Sequence, residues 1–224
     1  MIDLNTEDRA RVAAAVKEAE SRTDGEVMVV AADSSDAYHD VALHWSVLVM
    51  LLAMAVYASF PEFYMGLIDR ISGGWQHVWT PRELLTFLLF AATLKFLGTR
   101  FILVWRPLRM ALTPASTKTR RVRRRAIMLF KAGIERRTAT RTGVLLYLSL
   151  AEHRAEIVAD EAIHAKVPPE RWGIAMAGLV DALKAGQPAE GLITAIAQIG
   201  AILEETFPRT GRDPDELPDR LIEL

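Results

Sequence analysis

Cysteine is absent from this 224-residue chain, which removes disulfides, thiolate nucleophiles and cysteine-based metal sites in any compartment. A glycine-rich phosphate loop, a Gly-x-Ser-x-Gly elbow and a His-Glu-x-x-His pair are also missing. P-loop, dinucleotide-binding, serine-hydrolase and zincin chemistries therefore lose their usual sequence support. Neither sign of charge is in excess, with 27 Lys and Arg against 28 Asp and Glu and a formal net charge of −1. The first residues, Met1-Ile-Asp-Leu-Asn-Thr-Glu-Asp8, lack the basic region and apolar core of a signal peptide, so no cleavage is expected there. Histidine offers no metal-ligand spacing: His39 and His44 stand five apart, off one helical face, and His153 and His164 are isolated.

What the chain does have is two long apolar runs in its middle, Val41–Phe60 and Leu84–Trp105. The first holds one group that titrates near neutral pH, His44, and is long enough to cross a bilayer core of ~30 Å. The second is interrupted by Lys95 and Arg100 in its C-terminal half, where long basic side chains can reach a headgroup layer. A pair of buried helices in a soluble protein is the alternative, although a helix apolar on all sides is rarely buried in a domain this small. Arginines and lysines crowd the segment after the second run, from Arg106 to Arg141, with only Glu135 opposing them. The connector Pro61–Glu83 carries acidic and basic groups together. Basic residues near membrane ends stay cytoplasmic, so the sequence predicts a hairpin in a bacterial-type inner membrane with both termini cytoplasmic. Trp45, Trp75, Trp79 and Trp105 fall where an aromatic belt would place them.

The flanking parts read as one α/β domain split by the hairpin. Asn5 or Thr6 can cap a first helix that Thr23-Asp24-Gly25 ends. Glu26–Ala32, apolar on both faces, reads as a central strand. After the linker Thr113–Ser116, a basic helix runs to about Arg137, and Gly143–Leu150 and His153–Ala159 read as a strand pair. Their short link predicts antiparallel pairing. A turn of helix near Asp160–Ala165, a helix Pro169–Lys184 and a helix Pro188–Phe207 complete the domain. The resulting division is residues 1–38, a transmembrane hairpin 39–110, residues 111–207, and a mobile acidic tail 208–224.

The order of these elements, with Arg22-Thr-Asp-Gly-Glu-Val27 and the Gly-Val-Leu-Leu hairpin within Thr142–Val158, resembles the TPM domain. That family is named for a thylakoid lumen protein, a photosystem II repair protein and a receptor modulator. The resemblance covers about two-thirds of the chain, its soluble parts. It implies a small mixed sheet sandwiched by helices, with acid phosphatase activity or calcium binding in some members and assembly or modulatory roles in others. The chain departs from the family pattern at Arg141-Thr142, where an acidic residue and an asparagine are common, and at Ala159–Ile163, where Gly-Tyr-Gly-Leu-Glu is common. Its membrane segment lies inside the domain rather than after it.

If the first two strands are parallel, one sheet edge gathers Asp24, Asp160 and Glu161 near Arg141. Three carboxylates can hold a hard cation, calcium or magnesium, through oxygen, and Arg141 can contact a phosphate. The alternative is structural, with Asp160 capping the helix after it, Asp24 in a turn and Arg141 in surface ion pairs. At the other edge Asp33, Ser34, Ser35 and Asp36 read as a solvated junction into the membrane. The run Arg120, Arg121, Arg123, Arg124 and Arg125 fits anionic lipid headgroups or a topology signal, and a protein partner is the alternative. No aromatic side chain interleaves it, so nucleic acid is not expected. Function on this reading is a membrane-anchored binding or assembly module. The alternatives are a divalent-metal-assisted acid phosphatase, or a scaffold whose hairpin self-associates.

Overall fold

The computed structural model describes residues 5–71, 79–134, 142–210 and 220–224. The chain divides into two compact units, Met1–Ala37 with Ala115–Leu224, and Tyr38–Pro114.

The first unit is a four-stranded sheet of order β3-β2-β1-β4 with helices on both faces. β1 (Glu26–Ala32) and β2 (Gly143–Ser149) are parallel, with Val27 opposite Val144 and Ala32 opposite Ser149. Every residue of both strands is buried, as their unbroken apolar composition requires. Alternation then sorts the side chains. Val27, Val29, Ala31, Val144, Leu146 and Leu148 pack against α1 (Thr6–Glu20), α8 (Pro169–Lys184) and α9 (Pro188–Thr206). Met28, Val30, Ala32, Leu145 and Tyr147 meet Val122, Ala126, Phe130 and Ile134 of the segment containing α6 (Ala115–Gly133). β3 (Arg154–Ala159) runs antiparallel to β2, and α7 (Glu161–His164) follows it. Asn5 is the cap of α1, its Oδ1 accepting the Asp8 N–H at 2.7 Å. α9 lies close to two neighbours because it carries glycine at the contacts. A Cβ at Gly200 would sit 2.7 Å from the Ala19 Cβ, and one at Gly191 the same distance from the Ala182 Cβ.

Part of the segment expected to be a mobile tail is ordered. β4 (Ile222–Glu223) pairs in parallel with β1, and Arg209 N–H bonds to the Arg22 carbonyl at 3.2 Å. A two-residue strand has no periodicity of its own, and only its long-range partner defines it.

In the second unit, α2 (His39–Ser59) and α4 (Pro81–Ile102) pack against each other. Both are long and apolar enough to span a membrane, and only 17% and 6% of their most apolar windows are buried. At ~1.5 Å per residue the 21 residues of α2 reach roughly 31 Å. Their buried residues include Ala42, Ser46, Ala91 and Ala92, small groups of the kind that let membrane helices approach closely. α4 opens with a capping box, the Thr80 N–H donating to Glu83 Oε2 at 2.9 Å and the Glu83 N–H to Thr80 Oγ1 at 3.3 Å. The connector, to which the sequence analysis assigns no secondary structure, holds α3 (Pro61–Ile71). Tyr64 of α3 meets Tyr57 edge to face at 4.7 Å, whereas Phe63, Leu67 and Ile71 remain exposed. α5 (Arg106–Ala111) closes the unit. Trp45 Nε1 donates to the Leu112 carbonyl and Trp79 Nε1 to Asp69 Oδ1, while Trp75 lies outside the described residues.

Candidate functional site

The parallel β1–β2 pair gives the sheet two distinct ends. At the strand entries, where Asp24, Asp160, Glu161 and Arg141 were expected to converge, Thr142 Oγ1 donates to the Asp24 carbonyl at 3.0 Å. The carboxylates themselves serve different partners. Asp160, nearly fully buried, accepts the Gly143 N–H through Oδ2 at 2.9 Å. It stands at the N-cap position of α7 yet makes no side-chain cap bond there, so it ties β3's exit to β2's entry instead. Asp24 accepts the Thr210 N–H at 2.9 Å and the Thr210 hydroxyl at 2.6 Å. Its neighbour Thr23 donates to the Phe207 carbonyl at 2.6 Å. Glu161 is exposed in the first turn of α7. Arg141 lies outside the described residues. Among the described residues no three His, Asp or Glu side chains group closely enough to hold a metal ion.

The opposite end, expected to be a solvated junction, carries a buried polar network. Ser149 and Tyr147 lie on the α6 face of β2, both 0% exposed, and Glu152 is 5% exposed. Ser149 donates its hydroxyl to Glu152 Oε2. Ser35 donates to Ser149 Oγ at 2.8 Å, so in the 3.0 Å contact between Ser35 and Tyr147 the phenol is left as donor. The protons thus run in one direction, Tyr147 to Ser35 to Ser149 to the Glu152 carboxylate. Glu152 Oε1 also accepts the Ser35 N–H at 3.0 Å. The single Ser34 hydroxyl proton is shared between the Asp36 carbonyl at 2.8 Å and Glu152 Oε1 at 3.2 Å.

Burial, the largest effect, pushes the Tyr147 phenol above its ordinary value. Hydrogen bonding with Ser35 and Ser149 and the charge of Arg125 act against that, and the Glu152 charge acts with it. The phenol therefore remains a donor throughout the neutral range. α6 contributes two arginines at this edge. Arg121 pairs with Asp36 at 2.9 Å, and the buried Nε of Arg125 has no hydrogen-bond partner.

Ligands of open α/β sheets bind at the carboxyl ends of the strands, which is this end. With its hydroxyl fully buried and already committed to Glu152, Ser149 is closed to a substrate. The network locks the loop Asp33–Asp36 onto β2 and onto the turn before β3, and that loop leads directly into α2. Reading the sequence alone missed Tyr147, Ser149 and Glu152. The only local signal was a pair of polar residues, Ser149 and Glu152, closing an apolar strand.

A helix-flanked mixed sheet with two bilayer-length apolar helices set between its central strands defines the class of protein. Residues 109–202 match the family model of the TPM domain. The NMR structure of the BA42 protein from the psychrophilic bacterium Bizionia argentinensis shares this fold, with a TM-score of 0.56 at 17% sequence identity over 99% of this chain and 96% of that one. Nothing among curated proteins matches the chain.

Proposed function

We propose that the protein is a membrane-anchored TPM module that binds or assembles a partner at the cytoplasmic face of a bacterial-type inner membrane. One observation carries the reading: α2 and α4 turn leucines and phenylalanines outward along bilayer length, Leu51, Leu52, Leu85, Leu89, Phe90 and Leu94 among them. An apolar surface of that extent needs lipid or protein to cover it. The basic stretch after α4, set against the mixed charge of the connector, supports cytoplasmic termini. The carboxylates at the strand entries are assigned a structural role, their oxygens accepting from Gly143 and Thr210 of the chain itself.

Since the chain has no cysteine, single-cysteine labelling tests the topology directly. In intact cells a membrane-impermeant maleimide is expected to label Ser59→Cys and to spare Ser116→Cys. Reversed labelling, or release of the protein by alkaline carbonate, overturns the anchor. A metal-assisted phosphatase would instead show a saturable calcium- or magnesium-dependent rise in melting temperature, lost in Asp160→Asn. An ion at 100 times its Kd stabilises by ~2.7 kcal/mol. A flat titration is expected.

A further inference from the structure

α6 is basic along its whole length and contains no acidic residue. Its inner face, Val122, Ala126 and Phe130, is buried against the sheet. Two of its arginines are engaged within the domain, Arg121 with Asp36 and Arg123 through its field on Glu156. The outward face is different. Arg120, Arg124 and Lys131 are exposed and make no ion pair with any described residue. Between them on the same face lie Ile127, 37% exposed, and Met128, 49% exposed. Cations that flank two solvent-facing aliphatic side chains over three helical turns have the pattern of a helix that lies on an anionic membrane surface. Phosphate or another polyanion would satisfy the cations and leave Ile127 and Met128 in water. No aromatic side chain stands on this face to stack a base.

We propose that the outer face of α6 docks on anionic phospholipid headgroups, with Arg120, Arg124 and Lys131 on the phosphates and Ile127 and Met128 at the acyl boundary. This assignment rests on the membrane-anchored reading, which brings α6 to the bilayer because only Pro114 separates it from Thr113, the last buried residue of the hairpin unit. Docking would hold the domain in one orientation over the membrane. Lipid charge and salt would then control whether the domain lies down or stands free.

The test uses the full chain in vesicles, with one cysteine placed at Met128→Cys or at Leu89→Cys and a fluorophore on it. Circular dichroism melting of each variant checks that the fold is kept. A water-soluble collisional quencher is then added. In phosphatidylglycerol–phosphatidylcholine vesicles, quenching at position 128 is expected to fall several-fold relative to phosphatidylcholine alone. The protection should disappear at high salt and in Arg120→Gln/Arg124→Gln. Position 89 should be protected in both kinds of vesicle. Equal quenching at 128 in the two lipids, with 89 protected, overturns the docking face and leaves the anchor standing. Quenching at 89 overturns both. Protection at 128 that appears in phosphatidylcholine only on adding RNA, or only on adding polyglutamate, reassigns the face to nucleic acid or to an acidic protein and overturns the lipid assignment.

Discussion

α9 and α4 are built from similar material and use it in opposite ways. α9 buries Leu192, Ala195, Ile196, Ile199, Ile202 and Leu203 on one side and exposes Thr194, Ala197 and Ala201 on the other, with glutamates at its two ends. α4 is longer and buries only Ala91 and Ala92, while Leu85, Leu89, Phe90, Leu94 and Phe101 stand exposed around it. The amount of apolar surface does not separate the two helices. Its distribution around the axis does, because a one-sided stripe can be covered by a domain and an all-round coat needs a solvent that is itself apolar.

Truncation separates them most sharply. Ile196→Ala in α9 is expected to cost about 2–5 kcal/mol of stability, and Leu89→Ala in α4 less than about 0.5 kcal/mol. Chemical denaturation in detergent followed by circular dichroism measures both, and equal losses would mean that α4 is packed by protein. Exposure can next be held constant while the surroundings change. Leu89 and Ile174 are 68% and 72% exposed. Leu89→Arg is expected to oppose membrane integration by about 2.5–3.5 kcal/mol, seen as protein lost from the carbonate-resistant fraction. Ile174→Arg on α8 should change stability by no more than about 0.5 kcal/mol.

The two ends of the sheet extend the contrast to polar groups. Glu152→Ala strands the donors of Ser35 and Ser149 in a buried site and is expected to cost about 1–3 kcal/mol. Glu161→Ala, on an exposed turn, should cost less than about 0.5 kcal/mol. Thermal melts of the two variants check this, and an equal effect would remove the distinction between the ends.

The smallest effect concerns Glu156 on β3. Burial raises its carboxyl above the ordinary 4.5, against the opposing fields of Arg123 and Arg154. The folded chain therefore holds this proton where the unfolded chain has already released it, and stability falls as pH rises from the ordinary value through the raised one. Glu156→Gln should flatten that decline, and denaturation midpoints at a series of mildly acidic pH values would show it. An unchanged slope would mean that Glu156 titrates as an exposed carboxylate.

What could be read from the sequence followed how local the information was. β1 and β2 were legible because a run buried on both faces needs no alternation, and Pro169 and Pro188 marked the starts of α8 and α9 as first-turn residues. α3 is hard to read from sequence because Pro61 follows the apolar run at once and interrupts it. The spacing of Phe63, Leu67 and Ile71 was its helical signal. The buried network was illegible for another reason. Ser35 and Glu152, two of its members, lie 117 residues apart, and the four polar residues Asp33–Asp36 look solvated until that distant carboxylate arrives. Arg141, the one cation assigned to the strand entries, lies outside the described residues, so that part of the expectation stays with the Asp160→Asn titration.

The hairpin's position between β1 and β2 also sets a timetable. Val27 and its neighbour Val144 touch in the finished sheet, yet a ribosome adding about 5–20 residues per second needs on the order of ten seconds to travel from one to the other. During that interval β1 has been made, is apolar on both sides, and has no partner from β2, while the next segment to emerge is the apolar hairpin. Anything that slows synthesis of the hairpin lengthens the exposure of a seven-residue strand whose composition suits pairing with other chains. Damage within the hairpin would therefore be felt first at β1, a strand it does not touch in sequence.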